Sequence, residues 1–191
     1  MPMKLKQTLI ADLQRQYFYE GTPDRPANSI DLLKRLLHPR FTPVLLCRLA
    51  HYCSTIRLSP LAKIISLLNF VIFGIEIAVN CEIGAGLYFP HTVGTVIGAR
   101  KIGQNALIYQ GVTIGAKHID IGFDPSSRPL IGNDVTIGSG AKILGGIEIG
   151  NNVSIGANAV VTKSLPDHVV AVGIPAKIIR TNTVEKETNS K

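Results

Sequence analysis

Two side chains in the middle of this chain have the chemistry of a general-base pair. His91 carries an imidazole that can accept a proton near neutral pH, and Glu76 lies fifteen residues before it, in the segment EIAVNCEIGAGLYFPH. A carboxylate beside an imidazole fixes its tautomer and stabilises the imidazolium formed when the ring takes a proton. The alternative interpretation is a lone histidine in a solvated turn. The choice depends on whether the fold brings the two residues together.

The element that must position this pair is a tandem hexapeptide repeat, which begins at Ile77. A period of six fits neither the 3.6 of a helix nor the 2 of an isolated strand, and it predicts a parallel β-helix. One turn of such a helix takes about three hexads, so we expect Glu76 one coil below His91 and near the same corner. The repeated apolar positions are Ile77, Ile83, Phe89, Val96, Ile102, Ile108, Ile114, Ile131, Ile137, Ile143, Ile149, Ile155 and Val161.

Two breaks in the phase of the repeat indicate where the site lies. Phe89 and Val96 are seven residues apart, so one extra residue falls beside His91. Ile114 and Ile131 are seventeen apart, and the excess falls in residues 116–129, whose Asp, Pro, Ser and Gly content is typical of an exposed loop. Insertions on one face of a repeat protein often build the binding site. We therefore expect the site near His91 and this loop.

The chain divides into an α-helical N-terminal region, residues 1–75, and a mainly β solenoid, residues 76–180, with residues 181–191 as a flexible tail. The N-terminal region has ten Lys and Arg against four acids, a charge of about +6, and its start lacks the apolar core of a signal peptide. Its apolar stretch LAKIISLLNFVIF is shorter than the roughly 20 residues of a membrane span. Core or subunit packing is the favoured interpretation, and peripheral contact with an anionic membrane is the alternative.

Composition restricts the remaining classes of function. No aromatic stacking pattern accompanies the basic residues, so we predict no nucleic-acid partner. Cys47, Cys53 and Cys81 form no paired framework, which favours a reducing cytoplasm. The repeat region before His168 contains two histidines, His91 and His118, without the spacing of a three-histidine metal site, so we expect no metal. A purely structural solenoid is the non-enzyme alternative.

The segment from Phe73 to Arg180 resembles the serine acetyltransferase branch of the hexapeptide-repeat acyltransferases, a group that includes O-acetyltransferases of capsule and exopolysaccharide pathways. The resemblance is carried by FGIEI, PHTVGTVIG, YQGVTIG, IGSGAKILGGIEIG, IGANAVVTKSLP and VGIPAKIIR. It implies a left-handed β-helix, a homotrimer and acetyl-CoA bound between neighbouring subunits. It also implies that His91 is the catalytic base and Glu76 its carboxylate partner.

The resemblance further implies direct acetyl transfer, with no covalent acyl-enzyme. The oxyanion of the tetrahedral intermediate needs N–H donors, which we expect at Gly111 or Gly115, although glycine there is equally explained by the repeat. Acetyl-CoA would lie along small residues that admit the pantetheine arm and near lysines that meet phosphates as point charges. The predicted cofactor-binding residues are Gly115, Ser139, Gly140, Ala157, Lys163, Pro175 and Lys177.

The acceptor is the weakest part of the resemblance. Serine acetyltransferases typically have Asp before the catalytic His and an Arg-His pair at the end of the loop, where this chain has Pro90 and Ser127-Arg128. Arg128 can hold a carboxylate, and His118 can hydrogen-bond an acceptor hydroxyl or simply be solvated. Because of these departures, we predict a saccharide or polysaccharide intermediate as the acceptor. L-serine is the alternative.

Overall fold

The computed structural model describes residues 5–119 and 122–181, so the predicted tail lies outside the described residues except for Thr181. Four helices come first: α1 (Leu5–Tyr19), α2 (Ser29–Lys34), α3 (Thr42–Thr55) and α4 (Ser59–Phe73). The side chain of Asn28 caps α2 by accepting hydrogen bonds from the N–H groups of Ile30 and Asp31. Gly74 ends α4 in the left-handed conformation, which lets the chain turn directly into the first strand.

The remaining chain forms a parallel β-helix with three flat faces, as the hexapeptide period predicts. Face A contains β1 (Ile75–Ile77), β3 (Thr95–Ile97), β6 (Thr113–Gly115), β9 (Lys142–Leu144) and β12 (Val160–Val161). Face B contains β2 (Glu82–Ile83), β4 (Lys101–Ile102), β7 (Leu130–Ile131) and β10 (Glu148–Ile149). Face C contains β5 (Leu107–Ile108), β8 (Thr136–Ile137), β11 (Ser154–Ile155), β13 (Val169–Val172) and β14 (Lys177–Thr181), which closes the stack antiparallel to β13.

The β-helix core is a column of aliphatic side chains that point inward from each face. Ile97, Ile114 and Ile143 stack in register on face A, and each is at most 1% exposed. Val96 is one of the repeated apolar positions, but its side chain points outward and is 39% exposed. Side chains alternate along a strand, and pairing of Ile97 with Ile114 decides which of the two neighbours faces the core.

A buried ion pair joins the helical region to the first coil. Arg48 of α3 donates two hydrogen bonds to Asp12 of α1, both 2.9 Å, and two more to the carbonyls of Ile83 and Gly84. Oδ1 of Asp12 also accepts hydrogen bonds from the N–H groups of Gly86 and Leu87, in the turn after β2. Burial by itself lowers the pKa of Arg48, and the attraction of Asp12 outweighs it and raises the pKa. Removing one partner of such a pair typically costs about 3–5 kcal/mol.

Helix α4 presents apolar side chains to the surface. Ile64, Leu67, Val71 and Ile72 are all more than half exposed. Within residues 5–119 and 122–181, no helix has both the length and the apolar character needed to cross a bilayer.

Candidate functional site

His91 lies in the turn from face C to face A, which we call the C/A corner, between the first and second coils. This turn is longer than the equivalent turns above it: eight residues separate the inward Phe89 and Ile97, whereas six separate Ile108 from Ile114. The extra length pushes the His91 side chain into solvent. Thr92 Oγ1 holds the turn in place with a 2.7 Å hydrogen bond to the carbonyl of Phe73.

Glu76 occupies the outward position of β1, on the coil below. The backbone of Glu76 pairs with that of Val96. Gly74 lies two residues before Glu76, and its carbonyl accepts a 2.9 Å hydrogen bond from the N–H of Gly94, which lies three residues after His91. The fold therefore brings the predicted base and its carboxylate to adjacent coils at one edge of face A. Both side chains are exposed, and no hydrogen bond or ion pair joins these two described residues. Catalytic contacts are often long without substrate.

Higher coils extend the same corner into a straight wall. Four residues stack one above another at this corner, and each has a positive φ: Gly94 (+74°), Gly111 (+70°), Gly140 (+72°) and Asn158 (+56°). The N–H groups of Gly111, Gly140 and Asn158 each donate to a carbonyl on the coil below, at 2.8 to 3.1 Å. Glycine is favoured here because it adopts positive φ without steric cost. Three of these four corner residues therefore have no side chain, so the backbone is exposed along much of the corner.

Several predicted cofactor residues lie on this wall. Ser139 and Gly140 form the corner of the fourth coil, and Ala157 forms that of the fifth. Above them, the N–H of Ala176 donates to the carbonyl of Val160 at 2.8 Å, which seats Pro175 and Lys177 on the same corner. Four coil steps separate Gly94 from this cap, a height of about 19 Å at about 4.8 Å per step. A continuous row of stacked turns and small residues therefore runs from the His91 turn to the end of the β-helix.

The other predicted residues lie at the opposite edge of face A, where the chain turns to face B. We call this turn the A/B corner. Gly115 ends β6 there, and the loop 116–129 follows it directly. Lys163 follows β12, two coils higher on face A. Within one chain, face A separates these residues from His91. The sequence-predicted site residues therefore fall into two groups, one at each edge of face A.

The loop is held against the A/B corner by Arg128. Its guanidinium lies 4.0 Å from the centroid of the Phe123 ring, and Nη1 donates a 2.9 Å hydrogen bond to the carbonyl of Gly98. His118, on the ascending side of the loop, is exposed. Asp120 lies outside the described residues. The loop thus holds Arg128 at the A/B corner, away from this chain's own His91.

The geometry corrects one expectation and adds one residue. The N–H of Gly111 already donates to the carbonyl of Val93 at 3.1 Å, so it is not available as an oxyanion donor. The residue that sequence reasoning missed is Lys142, whose Nζ donates to the carbonyl of Gly111. The sequence feature that could have indicated Lys142 is its position directly before Ile143 in AKILG. A residue next to an inward-pointing position on a short strand points outward.

The cysteines do not supply a nucleophile. Cys47, Cys53 and Cys81 are free and buried. Burial raises the pKa of Cys47 to about 11 and that of Cys81 to about 12. Because the thiolate is the reactive form, these two thiols are inert near neutral pH. Their state is consistent with direct transfer rather than a cysteine-bound acyl group.

An open groove of about 670 Å³ crosses face B, lined by residues that include Lys101, Glu148, Asn151 and Asp167. It lies away from the C/A corner and contains no histidine. Over the described residues, no three His, Cys, Asp or Glu side chains converge as a metal site requires.

A left-handed parallel β-helix of hexapeptides, with a histidine at one corner and a glycine-lined wall above it, defines a hexapeptide-repeat transferase. The family model for bacterial transferase hexapeptide repeats (six repeats) matches residues 128–163. The serine acetyltransferase of Synechococcus elongatus is 37% identical over 174 residues, which cover 91% of this chain and 68% of that protein. That of Helicobacter pylori is 43% identical over 145 residues, covering 75% and 83%.

Solved structures agree with these relatives. The serine acetyltransferase of Brucella abortus in complex with coenzyme A superposes with a TM-score of 0.76 at 29% identity, covering 92% of this chain and 68% of that one. The Neisseria gonorrhoeae enzyme in complex with serine gives 0.76 at 31%, covering 92% and 69%. The chain therefore belongs to the serine acetyltransferase branch of the hexapeptide-repeat acyltransferases. It is an acyltransferase that uses acetyl-CoA.

These relatives correct the prediction of a saccharide acceptor, which is wrong. The proteins that match the chain over most of its length are serine acetyltransferases. The prediction relied on Pro90 and on Ser127-Arg128, two departures from a linear motif. Acceptor choice depends on how loop and corner meet in space, so differences at two positions of a motif do not decide it.

Proposed function

We propose that this protein transfers the acetyl group of acetyl-CoA to the hydroxyl of L-serine, forming O-acetyl-L-serine and free CoA. The observation that carries the proposal is the row of stacked turns at the C/A corner, which begins at the exposed His91 and rises along Ser139, Gly140 and Ala157. The serine specificity of the relatives, including one bound to serine, supports the acceptor.

In the proposed mechanism, His91 removes the proton of the serine hydroxyl as its oxygen attacks the thioester carbonyl. Glu76, one coil below, stabilises the imidazolium. The tetrahedral intermediate collapses with cleavage of the C–S bond, and the CoA thiolate takes the proton back from His91. The pantetheine arm lies along the small residues of the corner, and Lys177 and Lys163 meet the phosphates at the top.

The proposal includes a homotrimer, because the two groups of site residues lie at opposite edges of face A. A neighbouring subunit would bring its loop, with Arg128 and His118, to the C/A corner of the next chain. Arg128 would then face the serine carboxylate, for which a guanidinium is a well-shaped partner. Gly115 and Lys163 would approach the cofactor across the same interface.

The test is an acceptor panel with purified protein and acetyl-CoA, in which release of free CoA is measured. We expect rapid release with L-serine and background release with monosaccharides, oligosaccharides and D-serine. D-serine is the matched control, because it carries the same groups with the opposite arrangement. Release with a sugar acceptor and none with L-serine would overturn the proposal.

A further inference from the structure

Lys142 is a half-buried cation at the C/A corner that the general-base mechanism does not use. It takes the outward position of β9 on face A, in the column formed by Glu76, Val96, Thr113, Lys142 and Val160. Instead of extending into solvent, its side chain folds down to the coil below, and Nζ donates to the carbonyl of Gly111 at 2.5 Å. The ammonium is thus held at the corner.

Among residues 5–119 and 122–181, no carboxylate forms an ion pair with Lys142. The ion pairs of the described chain join Arg25 to Asp31, Arg35 to Glu20 and Arg48 to Asp12, and none includes Lys142. An ammonium has three donors, and one of them meets the Gly111 carbonyl. A partly buried cation without an anionic partner is costly for a fold. It suits a place where negative charge develops during a reaction.

Its height on the wall points to the thioester rather than to the phosphates. Gly111 rests directly on the His91 turn through its hydrogen bond to Val93, so the ammonium lies about one coil step, about 4.8 Å, above that turn. The cap at Pro175 and Lys177 is three coil steps higher than Gly111. Lys142 therefore lies near the His91 end of the C/A corner, where the proposed acetyl transfer takes place.

We propose that Lys142 is a further catalytic residue, whose ammonium donates a hydrogen bond to the thioester carbonyl oxygen and stabilises the oxyanion of the tetrahedral intermediate. This inference rests on the proposed function for the path of acetyl-CoA. It gives the oxyanion the donor that the occupied N–H of Gly111 cannot provide. The hydrogen bond to the Gly111 carbonyl keeps the ammonium in place before substrate arrives, so little reorganisation is needed in the transition state.

The test compares Lys142→Met and Lys142→Arg with Lys101→Met, an exposed outward lysine at the corresponding place on face B. We expect kcat of Lys142→Met to fall by about 10²–10³-fold, the usual effect of losing one oxyanion donor. The Kd of free CoA, which has phosphates but no acyl carbonyl, should stay within about twofold. Lys142→Arg should recover part of the activity, and Lys101→Met should match the parent protein.

Three outcomes would overturn the inference. Full kcat in Lys142→Met would show that the ammonium stabilises no transition state. A Kd for CoA that rises in proportion to the loss of kcat/KM would assign Lys142 to the phosphates. Lower activity explained by a lower Tm in both Lys142 variants would assign it to the fold. If the parent protein acetylates another acceptor but not L-serine, only the proposed acceptor fails, and the same comparison is made with the working acceptor.

Discussion

At the scale of single residues, the proposed chemistry needs an exposed His91 and a carboxylate on the coil below. The sequence predicts this placement, because a fifteen-residue separation is close to one turn of a hexapeptide coil. The length of the His91 turn was underestimated by one residue. The inward position is Ile97 rather than Val96, so the turn holds two extra residues and the next turn is one shorter.

Replacing the two members of this pair should affect the rate unequally. His91→Ala should lower kcat/KM for acetyl transfer by about 10²–10⁴-fold, because general-base assistance is lost. Glu76→Gln should cause a smaller loss, because it removes the charge that stabilises the imidazolium but leaves the base. Steady-state CoA release measures both. Glu82→Gln, an exposed carboxylate on face B, is the control and should have parental kinetics. Equal rates in Glu76→Gln and the control would remove Glu76 from the mechanism.

At the scale of elements, the C/A corner above His91 is made by turns rather than by strands. Each C/A turn above His91 places a positive-φ residue on the one below, which leaves a corner without large side chains. The glycines that directly follow the repeated apolar positions, such as Gly115, have no positive φ. The repeat in the sequence shows both kinds of glycine with similar spacing, so only the backbone distinguishes them.

This conformational difference predicts that two Gly→Ala substitutions lower the free energy of unfolding by different amounts. Gly140 has φ of +72°, and an added Cβ would press on Oδ1 of Asn158. Gly115 has an ordinary φ, and nothing lies within 4 Å of a Cβ added there. We expect Gly140→Ala to lower the free energy of unfolding by about 1–3 kcal/mol. Gly115→Ala should change it by less than about 0.5 kcal/mol. Urea unfolding at one protein concentration measures both, and equal costs would contradict the argument.

At the scale of the whole molecule, the proposed site residues are divided between two corners of one chain. The C/A corner has His91, the proposed base, and the A/B corner has the loop with His118 and Arg128. The exposed apolar side of α4, with Ile64, Leu67 and Val71, also lacks a covering partner among the described residues. Subunit packing accounts for both features, since it would join the two corners and bury apolar surface.

The assembly should therefore have about three times the 20.6 kDa mass of one chain. Light scattering coupled to size exclusion measures this mass. Ile64→Glu together with Val71→Glu should shift the protein towards smaller species and reduce acetyl transfer in parallel, because a monomer has half of each site. Lys63→Glu is the control on the same helix, since this exposed residue already carries a charge. A monomer with parental activity would contradict the shared site.

The sequence by itself determined the fold class, the corner that carries His91 and the donor, acetyl-CoA. A period of six can be satisfied only by stacked coils, and spacing along the chain then translates directly into height on the stack. The tertiary structure decided which edge of face A each residue occupies. It separated Arg128 from His91, showed that the Gly111 N–H is already bonded, and brought Lys142 down to that corner. These facts depend on side-chain direction and on hydrogen bonds between coils, which a linear motif does not contain. The acceptor was misjudged for the same reason, because it is selected where separate segments meet.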